Sequence, residues 1–390
     1  MSIGGSDAAT ELAALSPWAS PAPRIDSAER AERVARAEAA LAETGAGALL
    51  VTAGPSLRYF TGVSWSPTER LVAVLIRPGQ TPVLICPAFE RGSLDAELGI
   101  AADVRLWEED ADPVALVLDA LAPGTVLALD PLLPFHMAER FRARGGVVDG
   151  GPVIDGLRMV KSPAELALMR QAMAMTLEVH RRTARILTPG IRASAVKRFI
   201  DDAHRALGAA GSTFCAVQFG TATAFPHGLP GDQMLEENQL VLVDTGCLVD
   251  GYHSDLTRTY AYGTVDREVR DIWELEQAAQ AAAFAAVRPG ATCESIDAAA
   301  RAVLVAGGLG PDYRLPGLPH RTGHGIGLAI HEPAYLVRGD RTLLRPGMCF
   351  SNEPMIVVPD RYGVRLEDHF HVTETGAAWF TEPQPAIDRV

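Results

Sequence analysis

Cysteine is scarce in this sequence, and no two cysteines stand at the close spacing of a metal-binding or redox pair. The chain of 390 residues has five, all far apart: Cys86, Cys215, Cys247, Cys293 and Cys349. An odd number of scattered cysteines is not a disulfide framework, and it provides no cysteine-based zinc site. We therefore expect reduced, mostly buried thiols in a cytoplasmic protein.

Excess positive charge and long apolar runs are also lacking. The chain has 35 Lys and Arg against 48 Asp and Glu, so its formal net charge is −13. An acidic chain repels phosphate backbones, which argues against a nucleic-acid partner. No apolar run approaches the roughly 18 residues of a membrane span. The first residues have neither the basic nor the apolar region of a signal peptide. We expect no nucleic-acid partner and no membrane partner.

The first part of the chain alternates short apolar strands with helix-forming stretches. GALLVTA, RLVAVLIRP and GTVLALD are typical of buried strands. Residues 27–43 have the composition of a helix, and Ser27 is a candidate N-cap. This alternation predicts an α/β domain over residues 1–157.

The pattern changes near residue 158. Ser162 can cap a helix, Pro163 suits its first position, and Glu165 completes the spacing of a capping box. A long helix, further helices and antiparallel hairpins follow. The sequence therefore predicts a second, α+β domain over residues 158–390.

The stretch 243–260, VDTGCLVDGYHSDLTRTY, is predicted to form a hairpin that carries two aspartates. An Asp-Gly turn at 250–251 would place Asp244 opposite Thr257. Because residues two apart share a strand face, Asp255 would lie on the same face as Asp244. Two such carboxylates repel each other unless one is protonated or a cation lies between them. A solvent-facing polar stripe is the simpler interpretation of this stretch alone.

Three later segments favour a cation site. His324 lies between two glycines in GHGIGLAIHE, where the backbone can approach another group closely, and His331 follows seven residues later. Glu353 interrupts an apolar run, where a carboxylate is costly unless it is paired or bound to metal. In GVRLEDHFHV, Arg365 and Glu367 share a strand face. Buried carboxylates with one histidine suit a pair of divalent ions.

The motifs DTGCLVDGYHSDLTRT, GHGIGLAIHE, SNEP and GVRLEDH together resemble the pita-bread metallopeptidases. That family includes Xaa-Pro dipeptidase (prolidase), aminopeptidase P, methionine aminopeptidase and creatinase. The first half of the chain, including SLRYFTGVSWSPTERL, is similar to the smaller domain of the prolidase, aminopeptidase P and creatinase branch. The resemblance implies an α/β N-terminal domain, creatinase-like, followed by an α+β pita-bread catalytic domain.

The resemblance also assigns site residues. It implies five metal ligands: Asp244, Asp255, His324, Glu353 and Glu367. Glu353 would also transfer the proton. His331 and His227 would contact the substrate and assist catalysis, and Arg365 would brace the metal-binding carboxylates. The complete ligand set argues against the creatinase branch, which does not use these metals, and against a metal-free binding protein.

The implied reaction is hydrolysis of the Xaa-Pro bond of dipeptides by a hydroxide that bridges two divalent ions. Manganese is the expected metal, with zinc and cobalt as alternatives. Aminopeptidase P activity on longer peptides remains an alternative, as does a non-enzymatic binding protein of this fold. Relatives of this type are commonly homodimers, so a homodimer is expected.

Substrate recognition is less constrained by the sequence. A dipeptidase must bind a free carboxylate, and arginine suits that task because it can donate two parallel hydrogen bonds. Arg338 and Arg341 are candidates, although two solvated loop arginines would give the same pattern. Val249 stands where many relatives carry an aromatic residue, which predicts a wider pocket wall.

Overall fold

The computed structural model describes residues 3–226 and 228–390. The chain divides into two compact units. The first unit is Arg24–Arg158, and the second joins the stretch that ends at Pro23 to Met159–Val390. Each unit has its own core.

The helices, in chain order, are α1 (Ala8–Ala13), α2 (Ser27–Leu41), α3 (Pro55–Thr61), α4 (Arg91–Glu97), α5 (Pro113–Leu118), α6 (Phe135–Arg142), α7 (Gly151–Arg158), α8 (Pro163–Arg185), α9 (Ala193–Ala206), α10 (Arg267–Ala286) and α11 (Cys293–Ala306). The strands are β1 (Ala48–Thr52), β2 (Ala73–Ile76), β3 (Val83–Pro87), β4 (Asp103–Trp107), β5 (Leu127–Leu129), β6 (Val147–Asp149), β7 (Ser212–Phe219), β8 (Gln239–Val249), β9 (Tyr252–His253), β10 (Leu256–Tyr262), β11 (Gly323–Gly325), β12 (Glu332–Leu336), β13 (Cys349–Asn352), β14 (Met355–Val358), β15 (Tyr362–Arg365), β16 (Asp368–Val372) and β17 (Ala377–Trp379). Short 3₁₀ turns lie at Ala88–Glu90 and Gly220–Ala224.

The first unit is built on a six-stranded sheet in the order β4-β3-β2-β1-β5-β6. Its three central strands pair antiparallel, and β4, β5 and β6 each join a neighbour in parallel. The apolar runs of the central strands are buried, as strands covered on both faces require. Leu50, Ile85 and Phe141 are members of this core. The predicted α/β character of this region is confirmed.

Helix α2 begins at Ser27, one residue earlier than the predicted N-cap Ser27 implies. The N-cap is Asp26, whose carboxylate accepts a hydrogen bond from the Glu29 backbone N–H at 2.8 Å. The prediction of Ser27 was wrong because aspartate and serine are equally good caps, and the sequence places them side by side.

The N-terminal stretch packs with the second unit, whereas the sequence grouped it with the first in 1–157. The Gly4 backbone N–H donates to the Ala184 carbonyl, and Trp18 donates to Leu207 in the same way. Buried Glu11 of α1 also pairs with Arg182 at 3.0 Å. These contacts lie around α8 and α9, so they tie the stretch to the second unit.

The second unit opens with the capping box that the sequence predicts. The Ser162 hydroxyl accepts from the Glu165 backbone at 3.2 Å, and the Glu165 carboxylate accepts from the Ser162 backbone at 2.9 Å. Helix α8 then continues for 23 residues.

Two larger antiparallel sheets, each packed against a pair of helices, form the second unit together with the two-stranded sheet of β14 and β15. In one sheet the order is β10-β8-β7, and in the other it is β12-β11-β13-β16-β17. Val179, Phe199 and Val243 belong to the core between the first sheet and α8 and α9. Trp273 and Phe350 belong to the core that includes α10 and α11. This arrangement confirms an α+β unit.

The state of the cysteines matches the reduced, mostly buried thiols that the sequence predicts. All five cysteines are free, and four of them are buried. Within the described part of the chain, no helix combines the length and apolar character needed to cross a membrane.

Candidate active site

The hairpin that carries the two aspartates has the predicted register. Val249 pairs with Tyr252, and Asp244 pairs with Thr257. Both turn residues have positive φ, 46° at Asp250 and 84° at the following glycine. These angles are those that an Asp-Gly two-residue turn supplies.

Asp244 and Asp255 both line one cavity, as their shared strand face predicts. Asp244 lies within β8, and Asp255 lies in the short break between β9 and β10. The backbone of this break lies very close to β8. A Cβ added to Gly246 would lie only 1.8 Å from the Ser254 carbonyl oxygen. Gly246 therefore allows the segment that carries Asp244 and the segment that carries Asp255 to approach each other.

His324 reaches the same cavity from β11. Its Nδ1 lies 2.9 Å from the Gly325 carbonyl oxygen, which leaves Nε2 facing the acidic groups. Nε2 is 3.7 Å from Asp255 Oδ2. A Cβ on Gly323 would lie only 2.0 Å from the Ser351 carbonyl oxygen, so the glycine is required for this close strand approach.

Glu353 lies in the gap between β13 and β14 rather than inside one continuous strand. Its Oε1 is 3.1 Å from His324 Nε2. The Ser351 hydroxyl donates to the same oxygen at 3.0 Å and accepts from the His324 backbone N–H at 2.8 Å. Ser351 therefore holds the histidine and the glutamate together.

Glu367 lies between β15 and β16, in contact with β10. The Thr257 hydroxyl donates to Glu367 Oε2 at 2.7 Å, and the Glu367 backbone N–H donates to the Thr257 carbonyl at 3.1 Å. Fully buried Arg258 donates to the Glu367 carbonyl at 2.8 Å and pairs with Asp368 at 2.6 Å. Hydrogen bonds from both sides thus fix the backbone of Glu367.

Arg365, at the end of β15, contacts both strands of the hairpin. Its Nη2 lies 2.6 Å from Asp244 Oδ2, and its Nε donates to the Thr257 hydroxyl at 3.1 Å. It is 4 % exposed and lines the cavity beside Glu367. The bracing role that the sequence resemblance implies for Arg365 stays a prediction.

Three of the four carboxyl groups carry raised pKa values. Burial raises the pKa of Asp255 well above its ordinary value, and the charges of Glu367 and Asp244 raise it further. Burial also raises the pKa of Glu367, with the charges of Glu353 and Asp244 adding to the effect. Burial raises the pKa of Asp244 even though Arg365 opposes it.

Glu353 differs from the other three. Burial by itself would raise the pKa of Glu353, but the hydrogen bond and charge of His324 lower it below the ordinary range, with help from His320 and Arg365. The cluster therefore separates one readily ionised carboxylate from three that favour protonation unless a cation is present.

The donor set fits divalent metal ions. One ligand atom from each of Asp255, His324 and Glu367 lies within 4.8 Å of the others. Asp244 Oδ1 and Glu367 Oε1 are buried without a hydrogen-bond partner among the described residues. Buried carboxylate oxygens are costly unless they are paired or bound to metal, and oxygen and imidazole donors are ligands of such ions.

The cavity above this cluster has a volume of about 690 Å³. His331 lies on its wall, with its ring edge-on to His324 at 4.3 Å between centroids. His320 and Arg321 also line it. The Arg321 guanidinium lies 4.5 Å from the centre of the Tyr335 ring, which supports the side chain from one side.

The structure does not bring Arg338 or Arg341 to this cavity. Both side chains are exposed: Arg338 pairs with Asp312, and Arg341 lies 3.8 Å from Glu294. Each of the two arginines therefore has an acidic partner outside the cavity. Their positions are those of solvated loop arginines, the alternative interpretation of the sequence.

Two further expectations from the sequence concern Val249 and His227. Val249 packs against the apolar core beside α8 and α9 and does not line the described cavity, so it does not form the expected pocket wall here. The predicted substrate-binding residue His227 lies outside the described residues.

Two family models match the chain. The model of metallopeptidase family M24 matches residues 167–374, more than half of the chain. The model of the Creatinase/Prolidase N-terminal domain matches residues 33–160.

This chain belongs to metallopeptidase family M24.

Named relatives of this M24 chain include peptidases. It is 40 % identical over 362 residues to a probable dipeptidase PepE of Mycobacterium tuberculosis, across 91 % of this chain and 95 % of that protein. It is 33 % identical over 338 residues to an Xaa-Pro dipeptidase of Lactobacillus helveticus, across 84 % of this chain and 90 % of that one.

A solved structure matches closely as well. The dipeptidase PepE of Mycobacterium ulcerans superposes with a TM-score of 0.86 at 37 % identity, covering 92 % of this chain and 97 % of that one. The predicted fold is confirmed: a creatinase-type N-terminal domain precedes a pita-bread M24 catalytic domain.

Sequence reasoning missed several side chains around the M24 site. Thr257 and Ser351 stand two residues from a candidate ligand, so strand alternation could have identified them. Arg321 lies beside the GHGIG motif, and its approach to Tyr335 depends on the tertiary fold. No sequence signal marks that contact.

Proposed function

We propose that this M24 chain is a dipeptidase that hydrolyses the Xaa-Pro bond with two divalent ions. The observation that carries the proposal is the cluster of four carboxylates and His324 that lines one cavity, with Asp255, Glu367 and His324 buried. The names of both relatives support a dipeptidase, and the name of the Lactobacillus helveticus relative supports the Xaa-Pro bond. Aminopeptidase P activity is the alternative that the experiment below separates.

The proposed metal ligands are Asp244, Asp255, His324, Glu353 and Glu367. Divalent ions in this cluster would lower the pKa of a water molecule and polarise the scissile carbonyl. Manganese is the proposed metal because the donors are mostly carboxylate oxygens, with zinc and cobalt as alternatives.

Glu353 is the proposed proton carrier. Because its pKa lies below the ordinary range, it is ionised and can accept a proton from the attacking water. The same carboxyl group then delivers that proton to the leaving proline nitrogen. Ser351 and His324 hold it in place for both steps.

The remaining residues orient the substrate. His331, on the cavity wall, donates to the substrate carbonyl as negative charge develops. His227 keeps the role in catalysis and substrate binding that the sequence resemblance implies. Arg365 stays paired with Asp244 and so keeps that carboxylate oriented toward the cluster.

Arg321, rather than the predicted Arg338 and Arg341, is proposed to bind the free carboxylate of a dipeptide. It lines the cavity, whereas those two arginines lie outside it. Its contact with the Tyr335 ring limits the freedom of the guanidinium, which reduces the entropy lost when a carboxylate binds.

The test is a comparison of Ala-Pro, Ala-Ala and Ala-Pro-Ala after removal of metal and reloading with manganese, zinc or cobalt. We expect hydrolysis of Ala-Pro, with much lower kcat/KM for Ala-Ala and for the tripeptide. Preferential cleavage of Ala-Pro-Ala would favour aminopeptidase activity. No cleavage of any Xaa-Pro peptide by the metal-loaded protein would overturn the proposal.

A further inference from the structure

A buried imidazole that the proposed mechanism does not use lies beside the carboxylate cluster. His369, in β16, is 0 % exposed, and neither of its ring nitrogens has a hydrogen-bond partner among the described residues. Burial lowers the pKa of the His369 ring. The nearby Asp255 backbone opposes this lowering but forms no hydrogen bond with the ring. An unpaired buried polar group destabilises the folded chain, so its presence requires a physical reason.

The strand pairing places this ring among the proposed ligands. His369 pairs with Ser351 across β13 and β16, and the Ser351 hydroxyl contacts both His324 and Glu353. The His369 ring centroid is 6.3 Å from that of His324. Glu367 precedes it by two residues.

Two unpaired polar atoms face each other here. Thr257 occupies Glu367 Oε2, whereas Glu367 Oε1 is buried without a partner. His369 Nε2 lies 3.9 Å from that oxygen. A movement of about 1 Å would bring the pair to hydrogen-bonding distance.

We propose that His369 is a positioning residue for Glu367. Its Nε2–H donates to Glu367 Oε1, so that Thr257 and His369 together fix both oxygens of the carboxylate and set its orientation toward the metal. The inference rests on the proposed metal-binding role of Glu367. Outer partners of metal ligands typically contribute about 10–100-fold in metal affinity.

The experiment measures manganese affinity of metal-stripped protein by competition with a chromogenic chelator, together with the melting temperature of the metal-free chain. His369→Leu removes the donor at similar size, and His369→Gln retains one. We expect His369→Leu to bind manganese about 10–100-fold more weakly, with a metal-free melting temperature equal to or above that of the wild type. His369→Gln should recover most of the affinity.

A matched control lies on the same strand. His371 packs against Phe380, with ring centroids 5.3 Å apart, and does not line the cavity. His371→Leu should leave manganese affinity unchanged.

A merely structural role for His369 predicts a different pattern. Equal manganese affinity in the wild type and His369→Leu, or equal losses in the Leu and Gln variants, would overturn the inference. If the wild type binds manganese and cleaves no Xaa-Pro peptide, the proposed substrate fails. In that case a weaker affinity in His369→Leu would still support the positioning role.

Discussion

At the scale of single residues, the site is defined by an imbalance of charge. Four carboxyl groups line one cavity, and the Arg365 guanidinium contacts the carboxylate of Asp244 directly. Contact with His324 separates Glu353 from the others by lowering its pKa. Glu353 is therefore proposed to carry a proton, a role that the other carboxylates do not share.

Replacement of Glu353 by Gln should abolish most turnover and leave the fold intact. Gln retains the size of the side chain but cannot accept and return a proton, so kcat should fall by about 10²–10⁴-fold. Steady-state hydrolysis of Ala-Pro, circular dichroism and bound metal content measure the effect. Glu374→Gln, at an exposed position, is the control. Near-normal turnover by Glu353→Gln would remove the assigned role.

Replacement of Arg321 by Met should weaken recognition of the substrate carboxylate. A lost hydrogen bond to a charged group corresponds to an increase of about 10–100-fold in KM for Ala-Pro. The amide Ala-Pro-NH₂ lacks that carboxylate, so its hydrolysis should change little. Arg338→Met is the control because Arg338 is exposed and pairs with Asp312. An equal effect on the peptide and its amide would argue against carboxylate recognition.

At the scale of elements, the hairpin of β8, β9 and β10 sets the distance between two proposed ligands. Its register was predictable because the Asp-Gly turn and the two-residue periodicity are local properties of the sequence. The capping box at Ser162 was predictable for the same reason. Arg321 was not, because its place in the cavity depends on residues brought together by folding.

Gly246→Ala should disrupt this hairpin. The added Cβ would lie 1.8 Å from the Ser254 carbonyl oxygen, which precedes Asp255, so the strands must separate. We expect a lower melting temperature and weaker manganese binding, measured by calorimetry and chelator competition. Gly156→Ala in α7 is the matched control, because its Cβ would meet no atom within 4 Å. Equal effects of the two substitutions would contradict the hairpin's role.

At the scale of the whole molecule, the family assignment rests on both halves of the chain, since the two family models match different domains. The sequence identified the fold class because its motifs lie in the order and context of the family.

The expected homodimer stays a prediction. Mass measurement in solution would test it, with twice the chain mass as the expected result.

Metal binding should couple to stability in a pH-dependent way. Burial and neighbouring charges raise the pKa of Asp255 and Glu367, so their protonated forms stabilise the metal-free protein at low pH. That contribution is lost as the pH rises through the folded-state pKa values. Metal must displace these protons, so the increase in melting temperature on manganese loading should be large near about pH 8 and shrink toward about pH 5.

Calorimetry of metal-free and loaded protein across that range measures this coupling. Asp255→Asn, which removes one of the two carboxyl groups, should show a smaller increase at neutral pH. An increase that is constant with pH, or that grows on acidification, would contradict the coupling.

The most direct test of the central claim is a manganese titration of metal-stripped protein with Ala-Pro hydrolysis as the readout. The account predicts negligible hydrolysis without metal and a rise to a plateau at about two ions per chain. Full activity in the presence of chelator, or stoichiometric metal binding without any hydrolysis of Ala-Pro, would contradict it.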